Sequence, residues 1–176
     1  MQYIQLASTD LRLSRLAFGT AALHHHFEAK IRQELLACAF DNGITHFDTA
    51  PYYGHGLAEV AVGHFLQGQR TTVTVTTKVG LYPRVGMAYN SIDLRLRKMV
   101  GKVIQPLAKP LIDWSLTTSE KSLHASLKRL GTDYIDILLL HEPDMTLINS
   151  VEYEQWLEKQ KALGKIRCWG IAGEVS

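Results

Sequence analysis

The sequence has little of what marks secreted, membrane-spanning or disulfide-rich proteins. Only two cysteines, Cys38 and Cys168, occur in 176 residues, which favours reduced thiols over a disulfide or a metal site. No apolar run approaches the roughly 18 residues of a membrane span, and the N-terminus lacks the basic and apolar segments of a signal peptide. We therefore expect a cytoplasmic protein without a membrane partner.

The overall composition is that of an ordinary globular protein. Hydrophobic residues make up 46% of the chain and charged residues 20%, and the length suffices to bury a sizeable core. The formal net charge of +2 argues neither for nor against a polyanionic partner. The sequence contains no internal repeat, low-complexity segment or domain boundary, so we expect a single domain over residues 1–176.

Strand-like and helix-like patterns alternate along most of the chain. Residues 3–6 and 11–17 predict an N-terminal β-hairpin that leads into a first strand over 13–18. Further strands are predicted at 45–48, 72–78, 135–141 and 166–172, and helices at 29–41, 57–66, 117–130 and 151–163. Thr117 and Glu120 have the spacing of a capping box for the third of these helices. The alternation predicts a parallel sheet with right-handed crossovers.

One connection, over residues 79–117, is longer than strand-to-helix connections usually are. It contains a basic stretch at 95–102, and Pro106 and Pro110 limit any continuous helix. We interpret the segment as an inserted loop whose charges face water; a substrate lid or a patch for anionic surfaces is the alternative. The stretch lacks interleaved aromatic residues, so we expect no nucleic-acid binding.

Three predicted strands are each followed by, or end in, residues suited to acid/base chemistry. The strand at 45–48 ends in Asp48 with Tyr53 in the loop beyond it, and the next two end in Lys78 and His141. Strands of a parallel α/β barrel carry their chemistry at these carboxyl ends. Each residue alone has a structural explanation, as a packing aromatic, a surface charge or a cap. Their recurrence at successive strand ends predicts one shared site.

These side chains together suit proton transfer to a carbonyl oxygen. Free tyrosine loses its proton at about pH 10, and a neighbouring ammonium favours the phenolate. A carboxylate beside the lysine keeps the ammonium charged and oriented, and an imidazole orients the carbonyl or alcohol oxygen. Side chains cannot supply a hydride, so a nicotinamide cofactor is implied.

Two further histidine- and glycine-containing motifs are weaker. The three histidines at 24–26 cannot all face one ion from regular structure and have no nearby carboxylate or cysteine, so we expect a substrate-facing loop and no metal. Gly54 and Gly56 resemble the start of a dinucleotide fingerprint, but Glu59 occupies the place of the third glycine. We reject that motif.

The motifs of the whole chain resemble those of the aldo-keto reductases. They are FDTA at 47–50 with YG at 53–54, TTK at 76–78, LLH at 139–141, FGTA at 18–21, and LKRLG at 127–131 with DYID at 133–136. The resemblance implies a TIM (β/α)₈ barrel, of which this chain contains the N-terminal portion with about five of eight strands. The segments at 54–59 and 141–144 are most similar to the branch that oxidises aldoses such as galactose or fucose.

The resemblance also assigns roles. Tyr53 would be the general acid/base, Lys78 and Asp48 would tune it, and His141 would position the oxygen of a carbonyl or sugar substrate. Gly19, Thr20 and Asp48 would lie near the nicotinamide of NADP(H), or of NAD(H).

Two departures from the family pattern concern the cofactor and the sheet. The last strand usually ends in Ser-Asn at the nicotinamide carboxamide, where this chain has Ala172 and Gly173. The chain supplies a C-terminally truncated barrel with open edges, which predicts a homo-oligomer or a complementing fragment. A catalytically inactive scaffold or interaction protein is the alternative function.

Overall fold

The structure is a computed structural model that describes residues 1–88, 90–103 and 109–173. Its central element is a five-stranded parallel sheet. In chain order the strands are β1 Tyr3–Gln5, β2 Arg12–Ser14, β3 Ala17–Gly19, β4 His46–Asp48, β5 Thr74–Val79, β6 Leu81–Pro83, β7 Pro110–Ile112, β8 Ile135–His141 and β9 Ile166–Ala172. The sheet has the order β3-β4-β5-β8-β9, and β1 with β2 forms the predicted hairpin. Five parallel strands and the hairpin confirm the predicted architecture.

The helices lie in the connections between these strands. They are α1 Ala29–Asp41, α2 Leu57–Leu66, α3 Ser91–Val103, α4 Leu116–Leu130, α5 Met145–Ile148 and α6 Val151–Ala162, with short 3₁₀ turns at Leu23–His25, Tyr53–Gly56 and Arg70–Thr72. The bounds of α1 and α2 are those predicted. Gly43 follows α1 with φ 84° and Gly131 follows α4 with φ 62°, the left-handed conformation that ends a helix.

The predicted first strand over 13–18 was wrong, because the chain turns in its middle. Ser14 Oγ accepts hydrogen bonds from the amides of Thr45 and His46 at 3.0 and 3.1 Å and donates one to the carbonyl of Leu16 at 2.7 Å. These bonds end β2 and redirect the chain, so that β3 starts at Ala17 and pairs in parallel with β4.

The predicted capping box of α4 was also wrong. Ser115 is the N-cap and its hydroxyl accepts from the amide of Thr118, so the helix begins before Thr117. The Glu120 carboxylate instead accepts hydrogen bonds from Trp156 Nε1 at 2.7 Å and Gln160 Nε2 at 2.8 Å. Glu120 therefore connects α4 to α6, and its carboxylate makes these hydrogen bonds instead of the predicted bond to the start of its own helix.

The connection over residues 79–117 contains more regular structure than a loop. It forms the antiparallel β6–β7 pair and α3, which contains the whole basic stretch at 95–102. Arg97 pairs with Asp93 and donates to the carbonyl of Val85, so its charge does not simply face water. Pro110 begins β7, whereas Pro106 lies outside the described residues.

The two faces of the sheet have different environments. Phe47, Val75 and Leu138 are fully buried in the hydrophobic core shared with the helices. On the other face the hairpin packs Leu11 and Leu13 against Ile137.

Beside this small cluster, the same face of the sheet borders a cavity of about 420 Å³, which we call the inner cavity. Asp48, Thr76, Leu139 and Trp169 are among the residues that line it.

An ionic cluster around the buried Asp136 holds the strands together at the amino end of β8. The Asp136 carboxylate accepts from the amide of Val75 at 2.9 Å and pairs with Arg70 and Arg167, each at 2.8 Å. Arg167 also pairs with Asp10 in the hairpin turn at 2.8 Å. The cluster therefore ties the hairpin to the sheet, at the end opposite to Lys78 and His141.

Candidate active site

The carboxyl ends of β4 and β5 bring Asp48 and Lys78 into direct contact. Lys78 Nζ lies 2.6 and 2.8 Å from the two carboxylate oxygens of Asp48 and donates to the carbonyl of Thr49 at 2.9 Å. Lys78 is only 4% exposed. Each of the three bonds satisfies a proton of the ammonium, so this buried cation keeps a fixed position at the end of the strand.

Tyr53 lies in the turn between β4 and α2, with its ring beside that cation. Lys78 Nζ is 4.7 Å from the centre of the Tyr53 ring, within the range of a cation–π contact. The Tyr53 and His141 rings stand edge to face, with centroids 6.0 Å apart. All four residues that the sequence predicted to share a site therefore lie together.

An unusual backbone holds Tyr53 in place. Gly54, His55 and Gly56, the next three residues, all have positive φ, of 57°, 56° and 87°. A Cβ on Gly54 would lie 2.5 Å from Cβ of His24, so the turn needs glycine for space as well as for conformation. The carbonyl of His55 accepts a hydrogen bond from the amide of Ala88 at 2.7 Å, and this bond helps to hold His55 in its positive-φ conformation.

His141 is a half-buried imidazole at the end of β8. Its Nδ1 is buried and has no hydrogen-bond partner among the described residues. Burial lowers the pKa of His141, and the positive charge of Lys78 lowers it further. The imidazole is therefore neutral at neutral pH, so one ring nitrogen carries a proton and the other can accept a hydrogen bond.

The predicted cofactor residues occupy the same end of the sheet. Gly19 pairs with Asp48 across β3 and β4, and Thr20 donates to the carbonyl of Asp48 from its amide at 2.9 Å and its hydroxyl at 3.0 Å. Ala172 pairs with His141 at the end of β9, and Gly173 follows it. These four residues thus flank the Asp48–His141 region on its two sides.

A buried ion pair behind the site was missed in the sequence. Glu59 is fully buried; it accepts from Arg129 Nε at 2.7 Å and from Thr77 Oγ1 at 2.7 Å. Thr77 precedes Lys78, and Arg129 fills the space that a Cβ on Gly56 would enter. The signal was available, since Glu59 is the only acidic residue in α2, whose only other ionisable residue is His64.

The histidines at 24 and 25 have different surroundings. His24 is partly buried against Gly54, and burial lowers its pKa to about 4. His25 packs edge to face on His24 with ring centroids 4.3 Å apart. Among residues 1–88, 90–103 and 109–173, no three His, Cys, Asp or Glu side chains are grouped so as to hold a metal ion.

Known proteins share both the sequence and the fold of this chain. A profile described as the Aldo/keto reductase family matches residues 15–175. The chain belongs to the aldo/keto reductase family.

No helix within the described residues has the length and apolar character needed to cross a bilayer.

Individual members of the family match nearly the whole chain. It is 33% identical to D-threo-aldose 1-dehydrogenase from a Pseudomonas species, over 97% of this chain and 53% of that protein. Identity to the NADH-specific methylglyoxal reductase of Escherichia coli is 35%, over 98% of this chain and 52% of the relative. The aldo-keto reductase of Klebsiella pneumoniae in complex with NADPH superposes with a TM-score of 0.65 at 30% identity, covering 94% of this chain and 47% of that one. The chain thus spans about half the length of these relatives.

Proposed function

We propose that this chain carries the acid/base centre of an NAD(P)-dependent oxidoreductase that interconverts a carbonyl and an alcohol. The observation that carries the proposal is the contact of the buried Lys78 ammonium with both Asp48 and the Tyr53 ring. Family membership and the dehydrogenase and reductase names of the relatives point to the same chemistry.

In the proposed reaction Tyr53 exchanges a proton with the substrate oxygen. The charge of Lys78 stabilises the phenolate that forms when Tyr53 gives up its proton, because the ammonium lies against the ring. Asp48 holds that ammonium in place through two short bonds. The neutral His141, beside the ring, donates or accepts a hydrogen bond that orients the substrate oxygen.

The end of the sheet around Asp48 has room for a nicotinamide. Nothing lies within 4 Å of a Cβ built on Gly19, so a flat ring can approach the backbone there. Gly19, Thr20 and Asp48 on one side, with Ala172 and Gly173 on the other, would hold it. A bound nicotinamide supplies or accepts the hydride at the substrate carbon. Because one relative is a complex with NADPH and another is named NADH-specific, we include both NADP(H) and NAD(H).

We propose an aldehyde, ketone or aldose as substrate. The aldose dehydrogenase and the methylglyoxal reductase match this chain at 33% and 35% identity, so both sugar and small dicarbonyl substrates are represented among its relatives. A panel of galactose, fucose and methylglyoxal, assayed by NAD(P)H absorbance, separates the two groups.

We further propose that the chain associates with a copy of itself or with a complementing fragment. Strands β3 and β9 lie at the two ends of the described sheet and each has one strand neighbour within it. Sedimentation velocity of the purified chain tests this; a monomer that binds no hydrophobic dye contradicts it.

The acid/base role is tested by replacing Tyr53 with phenylalanine, which removes one hydroxyl and keeps the ring. We expect turnover to fall by at least about 100-fold, the lower range for general acid/base catalysis, while NADPH affinity stays unchanged. Tyr52→Phe is the matched control and should retain turnover. Full activity in the Tyr53 variant would contradict the role.

Cofactor binding is measured separately by tryptophan fluorescence. Trp169 lines the inner cavity, so we expect NADPH to quench its emission at micromolar concentration. A flat titration from a well-folded chain would instead support the second candidate function, an inactive scaffold or interaction protein that keeps the four side chains.

A further inference from the structure

Arg32 in α1 is a buried cation with no counter-charge among the residues that the structure describes. It is 5% exposed, and Nη1 donates to the carbonyls of His26 and Phe27 at 2.6 and 2.9 Å and to Ser91 Oγ at 3.0 Å. Nε is buried without a hydrogen-bond partner, and no carboxylate of the described residues forms an ion pair with the guanidinium. A buried charge is normally paired with an opposite charge, and Arg32 departs from this rule.

Arg32 lines a cavity between the helices. This α1–α2 cavity, of about 410 Å³, is bounded by Arg32 and Gln33 of α1, Leu57 and Val60 of α2, and Ile92 of α3. The Gln33 amide donates to the carbonyl of Ala61 at 2.9 Å, which joins α1 to α2. None of the residues proposed for catalysis or cofactor binding lines it.

The walls of the cavity combine apolar surface with this single buried charge. Leu57 is buried, Val60 is partly buried, and Phe27 and Ile92 are exposed by 41% and 63% at the rim. A ligand in this space would cover the rim residues and the apolar wall. Its volume falls in the range typical of small-molecule sites.

We propose that the α1–α2 cavity binds a small organic carboxylate, with the charged group at Arg32 and an apolar body against Phe27, Leu57 and Val60. A guanidinium keeps its charge in nearly any environment and matches a carboxylate in geometry. The ligand would supply the counter-charge that Arg32 lacks, and its body would remove the exposed apolar rim from water.

Other charges at the rim modulate this attraction. The Arg95 guanidinium lies 4.0 Å from the centre of the Phe27 ring and adds positive potential at the entrance. Glu28 and His64 also line the cavity and are exposed. The Glu28 carboxylate opposes an anionic ligand, so Glu28→Gln should tighten binding.

Binding is tested by nuclear magnetic resonance on the ¹⁵N-labelled 176-residue chain titrated with sodium benzoate. Benzyl alcohol has the same ring without the charge, and inorganic phosphate has charge without the apolar body. We expect benzoate to cause saturable shifts of the Gln33 and Ser91 amides, at least about tenfold tighter than benzyl alcohol or phosphate. Absence of saturable shifts at these amides, or equal affinities for benzoate and benzyl alcohol, would overturn the proposal.

Substitutions separate the cavity from other sites where benzoate could bind. Arg32→Gln should weaken benzoate binding at least about tenfold through loss of the charge, and Val60→Trp should block the cavity while keeping Arg32. Lys30→Gln, which removes an exposed charge from the same helix, should bind as the unmodified chain does. If Arg32→Gln does not fold, Val60→Trp and Lys30→Gln decide; unchanged affinity in Val60→Trp, or equal weakening in Lys30→Gln, refutes the site.

Discussion

Replacing Arg129 with methionine is expected to lower the free energy of unfolding by about 3–5 kcal/mol, the usual cost of leaving one partner of a buried ion pair alone. Methionine keeps most of the side-chain volume, so the change removes charge and hydrogen bonds rather than packing. Glu59 would remain in α2, fully buried, without its partner.

The size of the effect follows from the contacts of Glu59. Its Oε2 accepts from Nε and Nη2 of Arg129, both at 2.7 Å, and among the described residues its Oε1 accepts only from Thr77. After the substitution one neutral hydroxyl would stabilise a carboxylate that water does not reach. Since domains of this kind are typically stable by about 5–15 kcal/mol, the variant would lose a large part of its stability.

Urea denaturation at pH 7, followed by tryptophan fluorescence and circular dichroism, measures the loss. The double variant Glu59→Gln/Arg129→Met removes both charges and keeps an acceptor for Thr77, so we expect it to regain most of the stability. A difference of less than about 1 kcal/mol between Arg129→Met and the unmodified chain, the level of a surface pair, would refute the reasoning, as would a double variant no more stable than the single one.

Three further predictions concern the turn, a helix cap and pH. Gly54→Ala should destabilise the chain by about 2–4 kcal/mol, because it adds a clash with His24 to backbone strain. Gly68 also has positive φ but has open space around it, so Gly68→Ala should cost only about 1 kcal/mol. Thermal or urea unfolding compares the two variants. Ser115→Ala should cost about 1 kcal/mol and Thr117→Ala much less, since Ser115 is the N-cap; equal losses would contradict this assignment. Folding favours neutral His24, so the free energy of unfolding should fall as the pH is lowered from 6.5 to about 4, and His24→Leu should reduce that slope in urea titrations at several pH values.

The sequence predicted the sheet, the main helices and the meeting of four side chains, because these depend on patterns that recur along the chain. Buried strands such as β8 read as continuous apolar runs, and a polar residue at the end of such a run is conspicuous. Parallel pairing then places Lys78 and His141 at one end of the sheet without any further information.

What the sequence could not predict depends on contacts between distant segments. Ser14 ends its strand by bonding to Thr45 and His46, and Glu120 leaves its predicted local role for Trp156 on α6. Glu59 and Arg129 are 70 positions apart, so the single acidic residue of α2 indicates a buried carboxylate but does not identify its partner. For Ser14 and Glu120, a tertiary hydrogen bond outweighs the local preference from which the prediction was made.

The Asp136 cluster has a consequence for protein engineering. Its hydrogen bonds and ion pairs connect three strands and the hairpin at the end of the sheet opposite to Lys78. The contacts that stabilise the sheet and the proposed reactive groups therefore lie in separate regions. Libraries with randomised residues in the loops after β4, β5 and β8 should therefore yield mostly folded variants. Most substitutions at Asp136 or Arg167 should instead prevent folding, so that no new specificity could be selected from them.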